Sequence, residues 1–214
     1  MATAPHNLWQ TPSLLRLLFT SGVYYIMESQ KFHTVSWSDL HTSTFKLAEK
    51  ISKSGKRLSL IVAIARGGMT ITQVLSDFLT LPVATFTISS YKDMQQKDLS
   101  DISFHVGARL ENQDILLVDD ISDTGKTFIR GTKYLKELGA NSIITASLFI
   151  KPWTMYIPDF YHIQSDKWII LPYEVKETID SIGLKMQKEG KTKIQIQTKL
   201  KQIGIPKPFI NKLI

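Results

Sequence analysis

The chain of 214 residues has no cysteine. Disulfides, thiolate metal sites and a cysteine nucleophile are therefore excluded, and a reducing, cytoplasmic setting is the expected one. Long apolar runs are also missing. The most apolar terminal stretch, residues 1 to 27, is interrupted by Arg16 and Gly22 and is too broken for a spanning helix, so no membrane association is expected. It has no basic start and no small-residue cleavage pattern, and a single arginine before the first acid, Glu28, argues against a transit peptide. Residues 1 to 33 are read as a poorly patterned leader, with Met27 a candidate alternative start. Outside the tail, net charge is scarce: residues 175 to 214 hold nine lysines against three acids, while the remainder holds 17 basic residues against 16 acidic ones. The overall charge of +7 therefore does not mark the whole chain as a nucleic-acid binder, because polyanions respond to local charge density.

With 43% apolar and 21% charged residues, the chain is long enough to bury one core and carry a small appendage. Leu40, Thr44, Leu47, Ala48 and Ile51 recur at helical spacing after Ser36 or Ser38, either of which suits an N-cap. LSLIVAIA (58 to 65) reads as a strand buried on both faces, ending at Arg66-Gly67-Gly68. A second helix through Ile71, Val74, Leu75 and Phe78 leads to a strand over 83 to 89. Residues 91 to 110 are polar and weakly patterned, so a long loop or flap is expected there. DILLVD (114 to 119) predicts a third strand, a helix follows from about Thr124 to Gly139, and 142 to 150 predicts a fourth strand. Alternating strands and helices imply an α/β fold with a parallel, Rossmann-like sheet and ligands at the carboxyl ends of the strands.

At one such end stands ILLVDDISDTGKT (115 to 127). A Walker A loop requires glycine five positions before its Gly-Lys-Thr, where this chain has Asp120, a carboxylate that would repel a triphosphate. A phospho-accepting receiver would place its acidic pair at the start of the domain, yet three patterned elements come first. A division of labour fits better. N–H groups and hydroxyls of Thr124, Gly125, Lys126 and Thr127 at a helix N-terminus suit one phosphate monoester, while Asp119 and Asp120 accept from vicinal sugar hydroxyls. A phosphorylated ribose satisfies both halves.

This stretch resembles the signature of the type I phosphoribosyltransferases, which bind 5-phosphoribosyl 1-pyrophosphate (PRPP). Ala65-Arg66-Gly67-Gly68 is similar to the family's pyrophosphate loop. Ile150-Lys151-Pro152 and Trp168-Ile169-Ile170-Leu171-Pro172-Tyr173-Glu174 resemble the short bacterial and archaeal 6-oxopurine enzymes, as do residues 36 to 51 and the Ser89-Ser90-Tyr91 start of the flap. The likeness spans roughly residues 34 to 174, the expected phosphoribosyltransferase domain. Lys126, where relatives have a smaller residue, and Tyr173, where tryptophan is usual, depart from the pattern.

The resemblance implies purine salvage: transfer from PRPP to hypoxanthine, guanine or xanthine. Asp123 is expected to handle the purine N7 proton, with Lys151 donating to O6, Trp168 stacking on the base and the Ile169 main chain at the C2 edge. An ammonium is a donor only, so Lys151 suits a 6-oxo group and opposes an adenine amino group. Arg66, Gly67, Asp119, Asp120, Asp123 and residues 124 to 127 are expected to bind PRPP. Mg2+ is expected at Asp119, Asp120 and, through water, Glu174, and Ser90 and Tyr91 are expected to close as a lid. A homo-oligomer, dimer or tetramer, is also implied.

Residues 175 to 214 form a basic extension. Ile179, Ile182 and Met186 predict one helix, Ile196, Leu200 and Ile203 another, and a last short one holds Ile210 and Leu213. The spacing of Ile194, Ile196, Thr198 and Leu200 equally suits a strand. A helical arm packed on the core or on a neighbouring subunit is one expectation. The alternative is a PRPP- or nucleotide-sensing regulator whose tail binds nucleic acid.

Overall fold

The computed structural model describes residues 31–90 and 100–214. Most of the leader, Tyr91 and the first part of the expected flap lie outside the described residues. The sheet is built around two strands, β2 (Leu60–Ala65) and β5 (Asp114–Ser122), which run parallel with Ile61 opposite Leu116 and Val62 opposite Leu117. Both are apolar throughout because both of their faces are covered. Ile61, Leu116 and Val118 pack beneath α1 (Trp37–Lys53) and α2 (Gly67–Leu79); Leu60, Val62, Ile64, Ile115 and Leu117 pack beneath α3 (Lys126–Glu137). Alternate side chains of a strand point to opposite faces, so one apolar run serves two cores.

Ser36, rather than Ser38, caps α1. Its hydroxyl accepts from the Asp39 N–H at 3.0 Å, and the Asp39 carboxylate accepts from the Ser36 N–H at 3.3 Å, a reciprocal capping box. β3 (Val83–Ser90) lies beside β2 on one side; β6 (Ser142–Ile150) and β7 (Phe160–Gln164) lie beyond β5 on the other. The order is β4-β3-β2-β5-β6-β7, with only β4 (Ser100–Phe104) antiparallel. From β2 the chain moves to one side and from β5 to the other, which makes the cleft between their carboxyl ends the switch point where ligands bind in such sheets.

Part of the expected flap is thus a strand. In β4 only Ile102 is buried among the residues whose side chains are described, so an edge strand with a single inward apolar residue escapes a reading of periodicity. The helix expected from Thr124 starts at Lys126, because Gly125 at its N-cap holds a φ of 83°. The end of the leader is not patternless: Phe32–Thr34 forms β1, paired in parallel with β8 (Trp168–Ile170) in a separate two-stranded sheet.

That small sheet carries the extension. α4 (Val175–Lys188), α5 (Lys193–Gln202) and α6 (Lys207–Leu213) enclose a core of Ile179, Ile182, Met186, Ile196, Leu200 and Ile210, completed by Ile170 and Phe32. The strand alternative for residues 194 to 200 is not adopted; Thr192 and Gln195 form a capping box that starts α5 instead. The Thr34 hydroxyl donates to the Ile203 carbonyl, and Gly204, at φ 89°, lies against Thr34. The tail is packed on its own chain.

Two helical glycines give a test of close packing. A Cβ on Gly68 would stand 2.4 Å from the Val118 carbonyl oxygen, whereas one on Gly183 would meet only Ile214 Cδ1 at 3.5 Å. Gly68→Ala is expected to lower urea stability by about 1–3 kcal/mol through overpacking. Gly183→Ala should be neutral or stabilising by up to about 1 kcal/mol, the gain in helix propensity. Equal effects at the two positions would contradict the assigned contact.

Candidate active site

The turn after β2, Arg66-Gly67-Gly68, and the end of β5 meet with no room for a side chain. A Cβ on Gly67 would lie 2.5 Å from both Asp120 carboxylate oxygens. The close contacts at both glycines are with β5 itself. Arg66 follows a cis peptide bond and opens α2, and its guanidinium reaches across to Glu177 of α4 at 2.9 Å.

Asp119 and Asp120 are both buried. Asp119 Oδ1 accepts from the Asp120 N–H at 3.0 Å, and its carboxylate also accepts from the Thr127 hydroxyl. Asp120 Oδ1 accepts from the Ile121 N–H at 2.7 Å. The Tyr173 hydroxyl stands 3.1 Å from Asp120 Oδ2 and 3.2 Å from the Gly67 carbonyl, so its one proton is shared between the two strand ends. Burial raises the pKa of both aspartates, and the Asp120 charge raises Asp119 further. Burial, followed by the Asp120 charge, pushes Glu174 up to about 7. Tyr173 is raised well above the usual phenol range, first by burial and then by Asp120. Concentrated negative charge of this kind accepts hydroxyl donors or a cation.

The following loop is bound to its neighbour. Ser122 Oγ donates to the Tyr156 carbonyl at 2.8 Å and contacts Thr154 Oγ1 at 2.9 Å; the Met155 N–H reaches the Thr124 carbonyl at 3.1 Å. A Cβ on Gly125 would meet the Tyr156 nitrogen at 2.5 Å, so both the left-handed φ and the packing require glycine. The first intrahelical bond runs from Ile129 to Gly125, so the N–H groups of Lys126, which reaches Thr124 Oγ1 at 3.4 Å, and of Thr127 lie at the helix mouth, a geometry that attracts anions.

Beside that loop, β6 delivers Lys151. Its ammonium is buried, donates to the Lys167 carbonyl, and lies 5.5 Å from the centre of the Trp153 ring. Burial lowers the Lys151 pKa, partly opposed by the charges of Asp123 and Asp166. Trp153 Nε1 donates to Asp123 Oδ1 at 2.9 Å, leaving the second carboxylate oxygen for a ligand. Trp168 is 53% exposed and so keeps a ring face available. The Trp168 N–H bonds the Lys31 carbonyl and the Val35 N–H bonds the Ile170 carbonyl; in a parallel ladder this alternation turns the Ile169 N–H and C=O to the open edge of β8. Phe32, Ile121, Asp123, Lys151, Trp168 and Ile169 line a cavity of about 480 Å³, whose remaining wall comes from α4.

The expected site residues thus fall into adjoining groups. Arg66 and Gly67 meet Asp120, residues 123 to 127 form the loop, and Lys151, Trp168 and Ile169 surround the cavity. Glu174 joins the acids. Ser90 ends β3, opposite Ser100, and Tyr91 lies outside the described residues. Among the described residues no three acid, histidine or cysteine side chains converge as a metal site, so Asp119, Asp120 and Glu174 do not form an all-protein cage. Sequence reasoning missed Phe32, which falls in the leader, and Trp153, two residues beyond Lys151.

The model of the phosphoribosyl transferase domain family matches residues 36–178. The chain belongs to this phosphoribosyltransferase family. It is 30% identical over 145 residues to a xanthine-guanine phosphoribosyltransferase of Idiomarina loihiensis, an alignment covering 66% of this chain and 86% of the relative. A purine phosphoribosyltransferase from Pyrococcus horikoshii shares the fold with a TM-score of 0.61 and 32% identity, over 67% of this chain and 93% of that one. The Helicobacter pylori xanthine-guanine-hypoxanthine phosphoribosyltransferase aligns at TM-score 0.62 and 25% identity, over 70% and 99%. Most of the α4 wall of the cavity lies beyond the matched residues.

The raised Glu174 fixes a pH dependence. Its folded pKa of about 7 lies above the ordinary 4.5, so the folded state favours the protonated carboxyl and loses stability as pH rises from the lower value through the upper. In metal-free buffer, Glu174→Gln should therefore raise the melting temperature at pH 8, with the gain vanishing near pH 4.5. A gain of equal size at both pH values would contradict the assignment.

Proposed function

We propose that this protein transfers the 5-phosphoribosyl group of PRPP to a 6-oxopurine, hypoxanthine, guanine or xanthine, releasing pyrophosphate and serving purine salvage. The observation that carries the reading is the pairing of a buried donor, Lys151, with an acceptor, Asp123, in one cavity beside the phosphate-binding loop. Lys151 donates to O6, and the free oxygen of Asp123 accepts the N7 proton; together they select a base carrying an acceptor next to a donor. Adenine presents an amino group to the ammonium and is rejected. Trp168 stacks on the base and the open-edge main chain of Ile169 meets its C2 side. Trp153 holds Asp123 through its indole N–H.

At the donor end, the mouth of α3 and the Thr124 and Thr127 hydroxyls take the 5-phosphate, Asp119 and Asp120 accept from the ribose hydroxyls, and Arg66 with the Gly67 turn meets the pyrophosphate. Breaking the bond from ribose C1 to pyrophosphate leaves positive charge on the sugar, as in other glycosyl transfers. Mg2+ belongs to the proposal. Burial raises the pKa of Asp119, Asp120 and Glu174, with the Asp120 charge adding to the shift at Asp119 and Glu174, and a hard cation would stabilise the ionised carboxylates; these three would hold it directly or through water. When bound, the ion supplies positive charge to the departing pyrophosphate.

A homo-oligomer is part of the same proposal, supported by exposed Trp37, Phe45 and Phe78 along α1 and α2, where the two phenylalanine rings lie 4.9 Å apart. A cytoplasmic setting is assigned from the cysteine-free composition. Among the described residues no helix is long and apolar enough to cross a membrane. A sensor with a nucleic-acid-binding tail is the less favoured reading, because the tail closes the base cavity.

Incubation with PRPP, Mg2+ and each purine should give nucleotide from 6-oxopurines and none above background from adenine. Asp123→Asn is expected to lower kcat by about 10²- to 10⁴-fold, the usual worth of a positioned acid or base. Trp153→Phe, which keeps the ring and removes the donor, should lower kcat by about tenfold with the KM for PRPP little changed, as for a misplaced catalytic group. Absence of transfer to every 6-oxopurine would overturn the proposal.

A further inference from the structure

The family match ends at residue 178, yet the cavity wall continues along α4 through Ser181, Ile182 and Lys185. With Glu177 and Thr178 these residues recur at three- and four-residue steps, so a single face of one helix lines the pocket. We propose that Lys185 of this extension reads the C2 substituent of the purine, selecting a 2-oxo base over a 2-amino one, while Ser181 on the same wall pairs with either. The inference rests on the 6-oxopurine reading above and names the acceptor within it.

The direction of the helix carries the argument. The start of α4 is tied to the donor end of the site: Glu174 feels the Asp120 charge, and Glu177 pairs with Arg66 at 2.9 Å. From Glu177 to Lys185 the helix advances about 12 Å at 1.5 Å per residue, away from the donor and along the cavity. A purine must turn N9 toward the donor, because the new bond forms there. Lys151 and Asp123 occupy its O6 and N7 positions. The edge that remains for the far end of the cavity is N1–C2, the edge opposite N9, and it faces the Ile169 main chain and the second half of α4.

The chemistry available there is asymmetric. A lysine ammonium donates and cannot accept; a serine hydroxyl does both. The acids of the first half of α4 are engaged elsewhere, Glu177 with Arg66 and Asp180 with Lys176. Lys185 makes no ion pair among the described residues. A 2-oxo group accepts from it. A 2-amino group sets donor against donor, beside the apolar side chains of Ile182 and Phe32. Hypoxanthine, with hydrogen at C2, neither gains nor loses the contact and serves as the internal reference.

The test is kcat/KM for xanthine, guanine and hypoxanthine with the full chain, PRPP and Mg2+. Xanthine is expected to exceed guanine by about tenfold or more, and Lys185→Met to reduce that ratio by about tenfold, the range for loss of one recognition group. Lys185→Glu should turn the preference toward guanine, since a carboxylate accepts from the amino group. Ser181→Ala removes a hydroxyl that pairs with either group and should leave the ratio within about twofold, while Lys185→Arg, which keeps a donor-only cation, should preserve the preference and gives a second reading if Lys185→Met fails to fold. A parent protein that prefers guanine overturns the proposal. So does a xanthine-to-guanine ratio within about twofold of the parent's in Lys185→Met and Lys185→Glu while hypoxanthine is still transferred, a change too small for a lost hydrogen bond. Failure of the parent with all three bases overturns the underlying purine reading, so the two failures are separable.

Discussion

The pyrophosphate turn and the end of β5 touch with no space for a methyl group between them. Gly67 abuts the Asp120 carboxylate and Gly68 abuts the Val118 carbonyl. This contact closes the switch point of the sheet and pushes Asp119 and Asp120 out of water. Burial in turn raises their pKa values and couples Asp120 to Tyr173 and Glu174. A charged, desolvated floor is therefore produced by backbone packing, before any ligand arrives. Tyr173 then ties both strand ends to the segment that leads into α4, so the position of the extension depends on the same contact.

Two loops from neighbouring strands divide the work on the other side. The phosphate-binding turn and the Lys151 to Tyr156 turn share hydrogen bonds through Ser122, Thr154 and Met155, and Gly125 packs on Tyr156. They behave as one rigid piece. A single piece fixes the distance between the site for the 5-phosphate and the Asp123, Lys151 and Trp153 cluster that faces the acceptor. Positioning of this kind, rather than any unusual side chain, is what two-substrate transfer demands.

The donor half of the site was legible in the sequence because its groups are consecutive. Asp119 to Thr127 spans one strand end and one helix start, and both have strong local signatures in apolar run, acid pair and glycine. The acceptor half was legible only at Lys151, Trp168 and Ile169, where the resemblance supplied roles. Phe32 was missed because three residues of β1 form no period of their own and acquire meaning only opposite Trp168–Ile170. The bond from Trp153 to Asp123 joins residues thirty apart and leaves no trace in spacing. The helices of the tail could be read from Ile179, Ile182 and Met186, but periodicity states that a face is apolar without stating what it covers. The face toward the cavity is half polar, and spacing alone does not distinguish such a face from solvated surface.

The two-stranded sheet joins residues 32–34 to residues 168–170, and the last helices close over it. Apart from Tyr173 and Glu174, the residues assigned to the donor end, from the pyrophosphate turn through α3, are present in the chain by residue 137. The pocket for the base is not. During synthesis, which proceeds from the N-terminus, β1 must wait for β8, a closure across more than a hundred intervening residues that is slow relative to local folding. The order of assembly is thus written into the topology: the half that holds the phosphorylated sugar can form early, and the half that chooses its acceptor forms last.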